Sequence, residues 1–317
     1  MEYYTENPDM QETRKGFADA LEELGAENPD VVVLGGDVTG SVRTNQFRDA
    51  YPDRFFSVGI AEQDMMGTAA GLAVVGKIPV ASTYGEFATG RPFDQIRQSI
   101  AYSEMNVKIC ASHAGITVGP DGATHQSFED VAIMRVLPHM TVLTPCDYNQ
   151  TFNAVKAAVE FVGPCYVRFY REKSPNFTDK SEKFEIGKAK VMVEGNDITL
   201  IASGLPVWEA IVAAHELKKE GISARVVNMS TIKPLDKEMI LKCADETGMI
   251  ITCEDHQWTG GLYGAVAEVL SKEKPTKMDH IALNDTFGES GWGHELIVKY
   301  KLDSTAIADK VREHLKK

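Results

Sequence analysis

Three glycine-containing stretches of the 317-residue chain, the first of them GGDVTGS (35–41), carry polar side chains able to move protons or hold anions. The longest, SHAGITVGPDGATHQS (112–127), gathers His113, Asp121 and His125 among three glycines. Two imidazoles and a carboxylate on one irregular loop suit proton transfer or hydrogen bonding to hydroxyls. The same residue types bind metals, although no ligand spacing such as HExxH is present, and loop histidines can equally be plain surface residues. In VGIAEQDMMGTAAGLAVVG (58–76), Glu62 opens a run dominated by glycine and alanine. An acid in the first turn of a helix is stabilised by the helix dipole and needs no further purpose. Ala61, Gly67, Ala69, Ala70, Gly71 and Ala73 nevertheless predict close backbone packing, and a carboxylate at a tight interface needs a partner. STYGEFATGRPFDQ (82–95) places Tyr84 and Phe87 three apart, either as core aromatics or as a platform for a flat heterocycle. Arg14, Arg91, Arg168 and Arg171 offer guanidinium forks that match phosphate, and each alone could also be a solvated surface charge.

The elements that must position these residues follow from the hydrophobic pattern. Apolar runs such as DVVVLGGD and KICASHAGI alternate with amphipathic segments along the whole chain, which predicts parallel sheets covered by helices on both faces. The candidate residues then fall at strand ends, where open α/β sheets bind ligands. PFDQIRQSIAYSE predicts a helix burying Phe93, Ile96 and Ile100 on one stripe, and Asp147 is placed to cap a helix with Phe152, Val155 and Val159 inward. The polar stretch 171–187 contains Pro175, shows neither period, and reads as a linker. Two doubly wound α/β domains are expected, 1–184 and a smaller 185–317.

Composition narrows the function classes. A formal charge of -13 argues against nucleic acid or an anionic membrane as the main partner, since both require a basic patch. No apolar run is long enough to span a bilayer, and MEYYTENPDM is acidic where a signal peptide is basic and then apolar, so a cytoplasmic location is expected. The five cysteines, Cys110, Cys146, Cys165, Cys243 and Cys253, are scattered without a CxxC pair; they read as reduced, mostly buried thiols rather than a disulfide framework or zinc site.

Taken in order, ETRKGFADAL, GGDVTGS, FFSVGIAEQDMMGTAAGLA, TYGEFATGRPFDQIR, SHAGITVGPDGATHQSFED, VLTPCD, EDHQWTGGLYGAVAE and FGESG resemble the pyrimidine-binding and C-terminal domains of transketolase over nearly the whole chain. The resemblance implies a pyrimidine-binding domain with a mainly parallel sheet, a C-terminal α/β domain, and thiamine diphosphate as cofactor. It gives Glu62 a role: bonding a ring nitrogen of the aminopyrimidine so that its imino tautomer can deprotonate the thiazolium carbon to an ylide, chemistry that needs a charge-assisted bond in a dry site. Tyr84 and Phe87 match positions that cradle the pyrimidine, and Asp37 matches an acid near the cofactor. His113 and Asp121 match residues that grip sugar hydroxyls, and His125 lies in the family's THQ motif. Arg14, Ser41 and Arg171 match phosphate-binding positions, with Arg91 and Arg168 as alternatives. The implied reaction transfers a two-carbon ketol unit from a ketose phosphate to an aldose phosphate, as in the pentose phosphate pathway.

One family element is absent. Thiamine enzymes hold the diphosphate through a metal bound at a GDG motif, and this sequence contains none. The resemblance therefore implies a second polypeptide, an N-terminal transketolase subunit holding Mg2+ and the phosphates, in an α2β2 heterotetramer. Related readings are a deoxyxylulose-phosphate synthase, in which an arginine replaces His113, and the decarboxylase β subunit of 2-oxoacid dehydrogenases, which the GPDGATHQ loop fits less well. A non-catalytic relative and a metal-dependent hydrolase on the His113, Asp121, His125 loop are the readings of other classes.

Overall fold

The computed structural model describes residues 3–315. In chain order the strands of the first half are β1 (Asp9–Glu12), β2 (Val31–Gly35), β3 (Phe55–Ser57), β4 (Ile78–Tyr84), β5 (Lys108–Ser112), β6 (Thr141–Leu143), β7 (Cys165–Arg168) and β8 (Lys173–Asn176). Those of the second half are β9 (Lys190–Val193), β10 (Ile198–Ala202), β11 (Ala224–Asn228), β12 (Thr231–Lys233), β13 (Met249–Gln257) and β14 (Lys277–Leu283). A seven-stranded sheet has the order β12-β6-β7-β5-β4-β2-β3, and a five-stranded sheet the order β14-β13-β10-β11-β9. All pairings in the two sheets are parallel except the edge pairs β12–β6 and β11–β9. This is the mostly parallel two-domain α/β architecture expected. Strands such as β2, β5 and β10 are buried at every position, covered on both faces, and in β5 the buried Lys108 is satisfied by the Asn106 side chain and the Phe161 and Gly163 carbonyls.

The edge strand β12 belongs to the second half of the sequence but pairs with β6 of the seven-stranded sheet, Thr231 opposite Leu143. Helix Thr13–Glu27 packs against helix Tyr148–Glu160 at Gly16, where an added Cβ would lie 2.4 Å from the Tyr148 carbonyl oxygen. The expected cap is present: Asp147 accepts from the Gln150 amide at 2.8 Å.

Two expectations need correction. The stretch 171–187 is not a free linker, because β8 pairs antiparallel with β1, Glu12 opposite Lys173 and Met10 opposite Pro175. Each strand of this ribbon has an outer edge, so Pro175 is tolerated without losing a ladder bond. Beyond it, Phe177 and Thr178 donate backbone amides to Asp147, and Asn153 donates to the Lys180 carbonyl. Such side-chain tethering has no sequence period. The helix predicted around Phe93 is also irregular: a short turn, Phe93–Gln95, runs into a wider π-turn, Ile96–Ala101, although Ile96 and Ile100 are fully buried as expected.

Candidate active site

The carboxyl ends of β2, β4 and β5 lie side by side, with Gly35 opposite Ser82 and Tyr84 opposite Ser112. The loops leaving these strands bring most of the candidate residues to one edge of the sheet. Glu62 begins helix Glu62–Val74 and is only 5% exposed. Its Oε1 accepts a hydrogen bond from Arg91 Nη1 at 3.0 Å, which leaves Oε2 for another donor. The acid thus has the partner that its setting demanded, and that partner is half exposed. The tight packing expected of the small residues is met only in part within this chain. Ala69 and Ala70 are buried, but Gly67 and Gly71 are exposed, with nothing within 4 Å of a Cβ placed on either. Ile60, Val74 and Val75, near the two ends of the same helix, are also exposed.

From Arg91 the site runs through an aromatic cluster. The Arg91 guanidinium lies 4.0 Å from the centre of the Phe87 ring, a cation–π contact. Phe87 lies 5.9 Å from Tyr84 and meets His125 edge-on at 5.1 Å. Tyr84 stacks on His113 at 3.9 Å. His113 is buried, and its Nδ1 is 2.9 Å from Ser112 Oγ. Burial pushes its pKa down to about 3, aided by the charges of Arg14, Arg171 and His125, so the imidazole is neutral at pH 7. His113 also holds a left-handed backbone (φ 59°), a conformation costly for a residue with a Cβ and concentrated at functional sites.

The arginines assemble beside this cluster. Arg14 Nη1 donates to the Ser41 carbonyl at 2.8 Å and Nε to Glu12 at 3.2 Å, and Arg43 Nε donates to the same Glu12 carboxylate at 2.6 Å. Burial raises the Glu12 carboxyl, but the bonds from Arg43 and Arg14 prevail and hold it below the ordinary carboxylate range. Arg171 Nη1 donates to the Val118 carbonyl at 3.1 Å and lies 3.4 Å from Asp121. Asp121 ends two short 3-10 turns within Ile116–Asp121 that meet at a kink at Gly119 (φ 76°). Asp37 is exposed and left-handed (φ 61°) in the loop after β2, and Ser41 meets Arg14 through its main chain rather than its hydroxyl. His113, Asp121 and His125 do not share one chelating centre: their respective neighbours are Ser112, Arg171 and Thr124.

Arg168 stands apart. It is 2% exposed, pairs with buried Asp130 at 2.8 Å, and donates to the Tyr170 hydroxyl and to the Ser127 and Asp255 carbonyls. All three guanidinium nitrogens are engaged inside the protein, so a phosphate has no approach to them. Sequence reasoning missed Glu12, which organises Arg14 and Arg43, and Asp130, which fixes Arg168. Both lie within the motif stretches quoted above, but no spacing distinguishes an acid that orients an arginine from a solvated one.

A neutral buried histidine, paired aromatics and a buried acid gather beside the carboxyl ends of parallel strands, with Arg14 and Arg171 near them, where α/β enzymes bind their ligands. The family follows from comparison with known proteins. Residues 9–176 match the transketolase pyrimidine binding domain and residues 187–307 the transketolase C-terminal domain. The chain belongs to the transketolase family. A protein of Methanocaldococcus jannaschii named for the C-terminal section of transketolase is 48% identical over 96% of this chain and 96% of its own length. One subunit of the apulose-4-phosphate transketolase of Phocaeicola vulgatus is 40% identical over 96% of this chain and 97% of its own length. Human transketolase is 39% identical over 95% of this chain, which spans 48% of that longer protein. A split-gene transketolase solved as an inactive β4 tetramer superposes with a TM-score of 0.90 at 47% identity, covering 96% of this chain and 98% of that one.

Proposed function

We propose that this chain is the C-terminal subunit of a two-chain transketolase, a transferase that moves a two-carbon ketol unit from a ketose phosphate to an aldose phosphate. The observation that carries the reading is Glu62: a buried acid at the rim of a site whose bounding helix presents bare Gly67 and Gly71 outward. Half of a cleft is what such a surface supplies. Relatives that this chain covers almost end to end are named as sections or subunits of transketolases.

The residues present fit thiamine diphosphate. Glu62 has a free oxygen beside a single arginine, and Tyr84 and Phe87 offer ring faces for a flat heterocycle. When bound, the cofactor would supply the carbon nucleophile and electron sink that cleavage beside a ketose carbonyl requires. This chain's own part is then specific. Glu62 holds a proton-bearing ring nitrogen through a charge-assisted bond. Neutral His113, locked by Tyr84 and Ser112, and His125 exchange hydrogen bonds with sugar hydroxyls, and Asp121 accepts from them. Arg14 and Arg171 hold the sugar phosphate, with Arg91 at the rim, Ser41 fixing Arg14, and Asp37 facing the cofactor from the loop after β2.

The diphosphate and its Mg2+ fall to an N-terminal partner subunit, in an α2β2 assembly. Among the described residues no helix is long and apolar enough to cross a membrane; work in the cytoplasm on pentose phosphate sugars is part of the proposal. The test is reconstitution. The purified chain alone should leave xylulose 5-phosphate and ribose 5-phosphate unchanged, and adding the partner should give turnover dependent on thiamine diphosphate and Mg2+. Turnover by this chain alone would refute the two-chain reading.

A further inference from the structure

Two sequence motifs have no part in the proposed chemistry: EDHQWTGG (254–261) and FGESG (287–291), both in the C-terminal domain. Both converge on the loop that carries His113 and Asp121. Asp255, at the end of β13, is 4% exposed, and its two carboxylate oxygens lie 3.0 and 3.2 Å from the backbone amide of Ile116. The approach depends on the preceding residue. Gly115 is left-handed (φ 73°), and a Cβ there would stand 1.8 Å from Asp255 Oδ2, so the carboxylate can reach the loop only over a glycine. The carbonyl of Ile116 is also held: Gln126 Nε2 donates to it at 3.2 Å and to the Glu289 carbonyl at 3.0 Å. Gly288 makes room for the Gln126 amide, since a Cβ there would lie 1.9 Å from Oε1.

Asp255 is itself fixed in place. Arg168 Nη2 donates to its carbonyl at 2.7 Å, and the flanking residues accept backbone amides, Glu254 from Leu262 and Tyr263, and His256 from Ala132. Behind the loop lies a cavity of about 330 Å³ bordered by Thr117, Asp255, Leu205, Trp208 and Trp292. The loop itself is packed, with Ile116 and Val118 fully buried and Thr117 against Gly293, and the Asp255 bond adds a directed contact at the Ile116 amide. Burial pushes the Asp255 carboxyl up to about 6 against the pull of Arg168 and the Ile116 amide, so the acceptor is ionised at neutral pH.

We infer that Asp255 is a positioning residue for the sugar site: the C-terminal domain reaches across through it, grips the Ile116 amide, and sets the loop that presents His113 and Asp121. The inference rests on the proposed role of that loop in binding sugar.

The test uses Asp255→Ala and Asp255→Asn in the reconstituted two-chain enzyme, with amide hydrogen exchange measured on the same complexes. Asp255→Ala should raise KM for the ketose phosphate about tenfold, the expected effect of losing a hydrogen bond to a charged group. Affinity for thiamine diphosphate should fall much less, because Glu62, Tyr84 and Phe87 sit on other elements and Tyr84 meets the loop only through its stack on His113. Exchange should accelerate at residues 115–121 and not in β10 or β13. Asparagine retains an acceptor oxygen and should bring KM back to within about twofold of wild type. Unchanged exchange at the loop would overturn the inference alone. Faster exchange with an unmoved KM would overturn the sugar-binding role of the loop, and this inference with it. An equal loss of cofactor affinity and sugar affinity would show a general disturbance of the fold and refute the positioning role.

Discussion

Replacing Glu62 by glutamine separates what this residue does for folding from what it does for chemistry. The substitution keeps the size and shape of a side chain that is 5% exposed and removes only its charge. In the folded chain that charge meets Arg91 at 3.0 Å, but the arginine is 49% exposed, so water screens the pair. A partly solvated pair of this kind contributes about 0–1 kcal/mol, and the melting temperature of Glu62→Gln should stay within about 2 °C of wild type. At the reacting cofactor the balance reverses. A fixed charge aimed at a site of developing charge, shielded from water, is worth roughly 3–4 kcal/mol in the barrier, or about 10²–10³ in kcat. The assay is steady-state ketol transfer by the complex reconstituted with its partner at saturating thiamine diphosphate, alongside thermal unfolding of the same preparation. Near wild-type kcat with cofactor bound would refute the proton-activating role. A fall of many degrees in melting temperature with proportionate loss of activity would refute the separation and make Glu62 a structural acid.

Two further perturbations test the reading of the interior. Arg168→Ala leaves buried Asp130 with the Tyr166 hydroxyl but no cation beside it, and should cost about 3–5 kcal/mol of stability in denaturant unfolding; unchanged stability together with a raised KM for phosphorylated sugars would return Arg168 to phosphate binding. His256 tests acid sensitivity: burial pushes its pKa from 6.5 down to about 4, with Asp130 opposing and Arg168 assisting. The unfolded state therefore takes up a proton that the native state refuses, so this stabilising contribution is complete above the unfolded pKa and is lost as pH falls through about 4, an effect of roughly 3 kcal/mol. The stability gap between wild type and His256→Gln should narrow on going from about pH 7.5 to about pH 4.5, and a gap independent of pH would refute the assignment.

Much of this was legible because the signals are local. Buried parallel strands are largely apolar runs, so β2, β10 and the first half of β13 stand out, and Asp147 announces the helix that it caps. The GPDGATHQ loop and Glu62 could be singled out because glycines and acids are unusual where they occur. What stayed hidden depends on partners distant in sequence. The β1–β8 ribbon joins segments too short and polar to show a period. The division of labour among the arginines turns on which carboxylate each one meets: Glu12 for Arg14, Asp121 for Arg171, buried Asp130 for Arg168. The outward turn of Gly67 and Gly71 was also invisible, since small residues predict close packing without saying which chain supplies the other side.

The crossing of β12 into the seven-stranded sheet has a consequence for how the chain is made and inherited. A nascent polypeptide that has emerged only as far as β8 already holds every residue assigned to chemistry, yet β6 is still an open edge, free to pair with any strand that it meets. Synthesis must deliver Thr231–Lys233 before that edge is covered. A gene broken between the two halves would encode one product with a bare edge and another with a stranded β12.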